Sequence, residues 1–200
     1  MDTVSIIALS MGGAWACGIN LYAAVVVLGF LGASGSIELP ANLEILAHPA
    51  VLGAAGLMYC VEFFADKVPV VDSGWDAIHT FIRIPAGALV AAGAVGDVGA
   101  PLEFAALLLG GTLAAGSHAT KAGTRLAINA SPEPVTNWTA SIGEDVAVVG
   151  GLWAALNYPV IFLCALGAFV ALMVWFLPRL WRLISGAIRS RRSSRAPSTN

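Results

Sequence analysis

The stretch EFFADKVPVVDSGWDAIHTFIR, residues 62–83, gathers Glu62, Asp66, Lys67, Asp72, Asp76, His79 and Arg83 inside a chain that is otherwise strongly apolar. Glu62 and Asp66 form an i, i+4 pair, and Asp76, His79 and Arg83 fall at i, i+3 and i+7, so each set lines one face of a helix. His118, Lys121 and Arg125 repeat the second spacing, and Glu144 and Asp145 follow together in SIGEDVAVV. Carboxylates grouped in this way bind cations or carry protons, imidazoles exchange protons near neutrality, and Lys or Arg hold anionic groups such as phosphate or carboxylate.

The background makes this density unusual. Hydrophobic residues are 58% of the 200 and charged residues 11%, and the mean hydropathy is +0.83; a soluble domain has about a quarter of its residues charged. The chain reads as all-α, a polytopic transmembrane helix bundle with about six spanning or partly re-entrant helices of about 20 residues each. Residues 1–184 form one transmembrane domain, and 185–200 a basic tail without fixed structure. The N-terminus opens on an acid, and its apolar run is longer than the roughly 7–15 residues of a signal-peptide core, so it is read as a retained first helix. Cys17, Cys60 and Cys164 are odd in number, far apart and each in an apolar run, which leaves neither a disulfide framework nor a CxxC motif.

Six apolar segments can be traced. The first, residues 4–32, is long enough to tilt or break and contains Asn20; the others lie near 49–65, 84–96, 104–116, 146–156 and 160–178. Asn157, Tyr158 and Pro159 make a tight turn between the last two. Trp175, Arg179, Trp181 and Arg182 anchor the end of the sixth. If all six cross, every Lys and Arg falls on one face, and by the positive-inside rule both termini and that face are cytoplasmic, in a cell (inner or plasma) membrane.

The third, fourth and fifth apolar runs are short. Ile84 to Gly96, Phe104 to Gly116 and Val146 to Leu156 each cover about 17–20 Å at 1.5 Å per residue, against a hydrocarbon layer of about 30 Å. To cross, these helices must take in His79 and Arg83, His118 and Lys121, and Glu144 and Asp145. A charge inside the bilayer costs at least about 2.5–3.5 kcal/mol on insertion scales, so the groups must pair or be wetted. The expectation is a polar cavity, open to the cytoplasm, lined by Glu62, Asp66, Lys67, Asp76, His79, Arg83, His118, Lys121, Arg125, Glu144 and Asp145.

Plainer readings stand beside this one. Glu62, Asp66 and Lys67 can end a helix at the headgroups, with Pro69 as the stop. Ser141 and Glu144 match the S-x-x-E capping box, and Asp72 or Ser73 can cap a helix start. Arg83, Lys121 and Arg125 can snorkel to the interface, the third and fourth segments can form a re-entrant hairpin, and NWT at 137–139 matches a glycosylation acceptor by pattern. Gly12/Ala16 and Ala14/Gly18 read as small-residue packing faces. Walker, HExxH and GxSxG motifs are absent, and His48, His79 and His118 lack metal-ligand spacing on one element.

The segments VEFFADKVPVVD, IPAGAL, HATKAGTRLAINASPEPVTNW and SIGEDVAVV resemble a bacterial family of small integral membrane proteins described as domain of unknown function 4126, over roughly residues 8–175. Its E-x-x-x-D-K-x-P pattern falls on Glu62, Asp66, Lys67 and Pro69, and its H-x-x-K-x-x-x-R and E-D patterns on His118, Lys121, Arg125, Glu144 and Asp145. ACGINLY in the first helix departs from the more basic pattern of the family. The resemblance implies a membrane location and no established activity.

The expected function is a small transporter or channel-like protein for a polar solute, an ion or a lipid headgroup. In it Glu62, Asp66 and Asp145 take cations or protons, while Lys121 and Arg125 take an anionic group. A membrane enzyme acting on a lipid phosphate and a membrane scaffold whose charges only pair are the alternatives. Membrane lipids and a small polar or anionic solute are the expected partners, with no nucleic acid and no cofactor, and a homo-oligomer is compatible with the sequence.

Overall fold

In a computed structural model, which describes residues 1–68, 71–129 and 134–193, the chain forms six α-helices: α1 (Thr3–Ala33), α2 (Pro49–Ala65), α3 (Val71–Val95), α4 (Ala100–Asn129), α5 (Pro134–Asn157) and α6 (Pro159–Ser193). A 3-10 helix, Ala41–Ala47, precedes α2, and no strand occurs among the described residues. Pro69, expected as the stop after α2, lies outside the described residues. Local chemistry sets several boundaries. The Asp2 side chain caps α1 by accepting from the Ser5 N–H at 2.7 Å. His48 caps α2, whose first residue is Pro49, and Asn157–Tyr158–Pro159 turns α5 into α6 as expected.

Thr3–Ala33, Gly74–Val95, Ala100–Asn129 and Pro159–Arg179 are long and apolar enough to cross a membrane, and the 3-10 helix and α2, meeting at 63°, reach that measure only when taken together, as a broken span or a re-entrant loop. α5 has the length, with 24 residues, but its first half, PVTNWTASIGED, is polar. α3 and α4 run well beyond their apolar cores and take in Asp76, His79, Arg83, His118, Lys121 and Arg125. They are full-length helices, so the re-entrant reading of these two segments gives way. α6 continues to Ser193, inside the stretch assigned from the sequence to an unstructured tail.

The element that reverses is α1. At Asn20 the backbone leaves the helical region, with φ −143° and ψ 97°, and the Asn20 side-chain oxygen accepts from the Ala23 N–H at 3.0 Å. Asn20 thereby caps a second limb, residues 21–33, and its side chain supplies the alternative to helical bonding that favours a break. The two limbs fold back on each other. A Cβ built on Gly13 lies 3.9 Å from the Leu28 side chain, whereas fifteen residues of straight helix would separate them by about 22 Å. Met1 and Ile6 line the same surface cleft as Glu38, Leu39, Ala94 and Val95, so both ends of the hairpin meet the C-terminal end of α3.

The hairpin sits in the middle of the bundle and packs against all five other helices. Small residues allow the approach. A Cβ on Gly18 would strike the Ser117 side chain and the Ala114 carbonyl of α4, and one on Gly110 would strike Ala91 of α3. The small-residue faces read from Gly12, Ala14, Ala16 and Gly18 therefore pack helices. Large apolar side chains point outward instead, among them Leu57, Phe64, Phe81, Leu109, Trp153 and Leu172. This outer apolar surface with a polar interior is the arrangement of a helical membrane protein.

Candidate functional site

Four helices bring their charged faces together around Lys121. Its ammonium lies 3.0 Å from Asp66 Oδ2, 3.3 Å from Glu62 Oε1, 3.4 Å from Glu144 Oε2 and 3.8 Å from Asp76 Oδ1. Arg83 pairs with Glu62 and, at 3.1 Å, with Asp76. Arg125 holds Glu144 through two bonds, Nε to Oε1 at 3.0 Å and Nη2 to Oε2 at 2.7 Å, and reaches Asp66 Oδ2 at 3.5 Å. Glu62 and Arg83 are fully buried, and Asp66, Asp76, Lys121 and Arg125 nearly so; the Glu144 side chain is 17% exposed. The i, i+3, i+7 faces of α3 and α4 thus face one another, with the end of α2 and the middle of α5 closing the cluster.

The histidines complete it. Arg83 donates to His118 Nδ1 at 3.2 Å, which fixes the proton of a neutral His118 on Nε2, 2.7 Å from the Thr80 hydroxyl. His79 Nδ1 lies 2.9 Å from the Trp75 carbonyl, which can only accept; its Nε2 is 3.0 Å from the Tyr22 hydroxyl. The Trp75 ring stacks on His79 at 4.3 Å. His118 is accordingly held with a bare Nδ1, whereas His79 donates from Nδ1 to the Trp75 carbonyl and meets at Nε2 a hydroxyl that can donate or accept.

Among the described residues, four buried atoms of the cluster find no hydrogen-bond partner in the protein: Glu62 Oε2, Asp66 Oδ1, Asp76 Oδ2 and Arg83 Nε. The three oxygens belong to carboxylates whose other oxygen faces Lys121. A cleft of about 290 Å³ between α1, α4, α5 and α6 reaches the cluster, with Lys121 and Glu144 in its lining beside Ile19, Ser117, Ala147 and Phe169.

Asp145 stands apart. It accepts from Asn20 Nδ2 at 2.9 Å and from the Tyr59 hydroxyl at 3.0 Å, which ties it to the tip of the α1 hairpin and to α2. Lys67 is buried against aromatic rings, 2.8 Å from the centre of Phe63 and 5.1 Å from that of Trp138, and donates to the Phe63 carbonyl at 2.9 Å. Asp72 accepts from Asn129 at 2.9 and 3.0 Å, and Asn129 accepts from Asn137 at 3.0 Å.

Several of the plainer readings yield to this geometry. α5 begins at Pro134, so Ser141 and Glu144 lie inside the helix and form no capping box; Glu144 is instead the bidentate partner of Arg125. Arg83, Lys121 and Arg125 are buried and do not snorkel. Asn137 is fully buried, and its carbonyl accepts from Arg125 at 3.2 Å, which removes NWT as a glycan acceptor. The bases expected to clamp an anion, Lys121 and Arg125, are already held by carboxylates.

Tyr22, Tyr59, Thr80 and Asn129 carry no signal in the sequence, and Asn137 carries only the pattern of a glycan acceptor. Only Asn20, a lone amide in an apolar run, carried a signal that could have found it. Among the described residues, no group of three or more His, Cys, Asp or Glu side chains is arranged to hold a metal ion.

The family described as Domain of unknown function (DUF4126) matches residues 7–179. The chain belongs to the DUF4126 family. The match confirms the resemblance read from the charged motifs and extends through both limbs of the hairpin into α6. Every member of the buried cluster lies within the DUF4126 region, whose description assigns no activity. Neither a curated protein nor a solved structure matches the chain.

Proposed function

We propose that this protein is a small membrane transporter for a cation, with Glu62, Asp66 and Asp76 as the binding carboxylates. The observation that carries the reading is the set of bare oxygens Glu62 Oε2, Asp66 Oδ1 and Asp76 Oδ2, buried in a network whose other acid oxygens are paired. A network built only to hold helices together has no use for buried acceptors without donors, since each such group costs about 1–3 kcal/mol. Unused acceptors fit a positive ligand better than the anion first expected at Lys121 and Arg125, and better than a lipid phosphate.

The broken helix supports the same reading. Irregular backbone within a membrane is tolerated where it is buried in protein or lines a cavity, and transporter sites are often built at such breaks. Here the break at Asn20 bonds to Asp145, next to the cluster on α5. In this reading α1 dips in from one side and returns, while α2 to α6 each cross. The Lys and Arg residues then fall at the cytoplasmic end by the positive-inside rule. The N-terminus lies outside and the C-terminus inside, in place of the two cytoplasmic termini expected from six crossings.

The test is flux of potassium or sodium into liposomes that contain the purified protein, under an imposed gradient. Uptake that falls at least tenfold in Glu62→Gln and Asp76→Asn, with unchanged unfolding temperature, supports transport. Absence of flux for both ions, or neutralised variants that keep the wild-type rate, overturns it. Variants that lose stability and leave flux intact assign the cluster to the scaffold reading, which the dense pairing of Lys121 favours.

A further inference from the structure

Among the described residues, the ion pairs define a set that does not balance. Glu62, Asp66, Asp76 and Glu144 supply four carboxylates, and Arg83, Lys121 and Arg125 supply three cations. His118 adds no charge as held, and His79 is partnered by the Trp75 carbonyl and the neutral Tyr22 hydroxyl, not by a carboxylate of the set. The surrounding groups do not restore the balance. Asp72 at the start of α3 and Asp145 on α5 add two acids, whereas Lys67 after α2 adds one base.

An uncompensated buried charge is the costliest element in such a network. Carboxylates that share a site relieve it by retaining a proton between them. Geometry says which ones. Both oxygens of Glu144 are used, on Arg125 and Lys121, and its side chain is the most exposed of the four. Glu62, Asp66 and Asp76 each keep one buried oxygen free, and their other oxygens lie 3.3, 3.0 and 3.8 Å from the same Lys121 ammonium. Lys121 already holds the paired oxygens, so the neutraliser that the resting cluster takes at the remaining ones is a proton.

We infer that the resting cluster is a proton-binding site, holding one proton shared among Glu62, Asp66 and Asp76, and that a transported cation enters as this proton leaves. In that exchange the O–H bond of the carboxylic acid breaks, the proton passes to water, and the freed carboxylate pairs with the incoming monovalent cation. The charge of the cluster is unchanged throughout. The exchange rests on the transport reading; the resident proton does not.

Infrared spectroscopy of the full-length protein in liposomes at neutral pH reads the proton directly, through the carbonyl stretch of a carboxylic acid and its shift in heavy water. The expected result is an acid band in the wild type that disappears in each of Glu62→Gln, Asp66→Asn and Asp76→Asn. Each neutralisation removes the excess charge and with it the need for the proton. Asp145→Asn, outside the paired set, keeps the band.

A wild type without the band, or a band that survives in all three variants, overturns the inference. If a variant does not fold, the wild type decides alone: adding potassium to a weakly buffered sample releases about one proton per molecule to a pH dye and weakens the band, and no release overturns the exchange. A band without potassium or sodium flux sinks the transport reading and leaves the proton site standing. Flux without a band does the reverse.

Discussion

Asn20 and Asp145, 125 positions apart in sequence, are joined by a 2.9 Å hydrogen bond at the point where α1 turns back inside the bundle. The same Asn20 side chain uses its oxygen to cap Ala23, so one amide both ends a helix and docks it. Asn20→Ala removes both bonds at once and leaves Asp145 with Tyr59 as its remaining donor among the described residues. The expected loss is about 1–3 kcal/mol, the cost of a buried acceptor deprived of its donor, seen as a lower unfolding temperature in detergent. Asn20→Asp, which puts a second carboxylate against Asp145, is expected to cost more.

Lys121 lies within 4 Å of four carboxylates, more than any other base among the described residues. Lys121→Met keeps the bulk of the side chain and leaves four carboxylates facing one another, a change that should cost about 3–5 kcal/mol. The double variant Lys121→Met, Glu62→Gln should recover part of that loss, because it removes one of the stranded charges. A double-mutant cycle by denaturant or thermal unfolding checks this; strictly additive effects contradict a shared network.

Much of this site was legible in the sequence because charge is expensive in a membrane. The short apolar runs of α3 and α4 forced His79, Arg83, His118, Lys121 and Arg125 into spanning helices, and helical spacing put each triplet on one face. Glu62, Asp66 and Glu144 followed from the need for partners. Partner choice was not legible, since Arg125 finds Glu144 and Arg83 finds Glu62 only through the crossing of separate helices. The neutral members, Tyr22, Tyr59, Thr80, Asn129 and Asn137, were hidden because uncharged polar side chains leave too small a mark on hydropathy to be noticed.

The fold of α1 was the larger surprise. The run over residues 4–32 is long enough to tilt or break, but nothing in its hydropathy says that it reverses. The break is encoded in one residue, Asn20, whose side chain competes with the backbone for a hydrogen bond.

Close helix packing gives a sharper mutational test than any apolar contact. A side chain at Gly18 has no room against Ser117 and the Ala114 backbone, and Ser117 itself donates to the Trp15 carbonyl at 3.1 Å. Gly18→Val should therefore force the hairpin away from α4 and cost at least the 1–3 kcal/mol typical of overpacking, roughly. Gly53→Ala, on α2 where the added methyl meets nothing within 4 Å, should be close to neutral in the same unfolding assay.

The sidedness of Thr3 and Ser36 separates the two topologies. If α1 spans, these residues lie on opposite faces of the membrane. If it is a hairpin with its tip at Asn20, they lie on the same face, with Tyr158 and opposite Arg182. All four are exposed, so single cysteines at these positions are open to a membrane-impermeant thiol reagent once Cys17, Cys60 and Cys164 have been replaced. In sealed vesicles of known orientation, Thr3→Cys, Ser36→Cys and Tyr158→Cys should label from the outside, and Arg182→Cys from the inside. Labelling of Thr3→Cys together with Arg182→Cys would restore the spanning first helix and both cytoplasmic termini, and would remove the broken helix as support for transport. The carboxylates around Lys121 would then have to carry that reading alone.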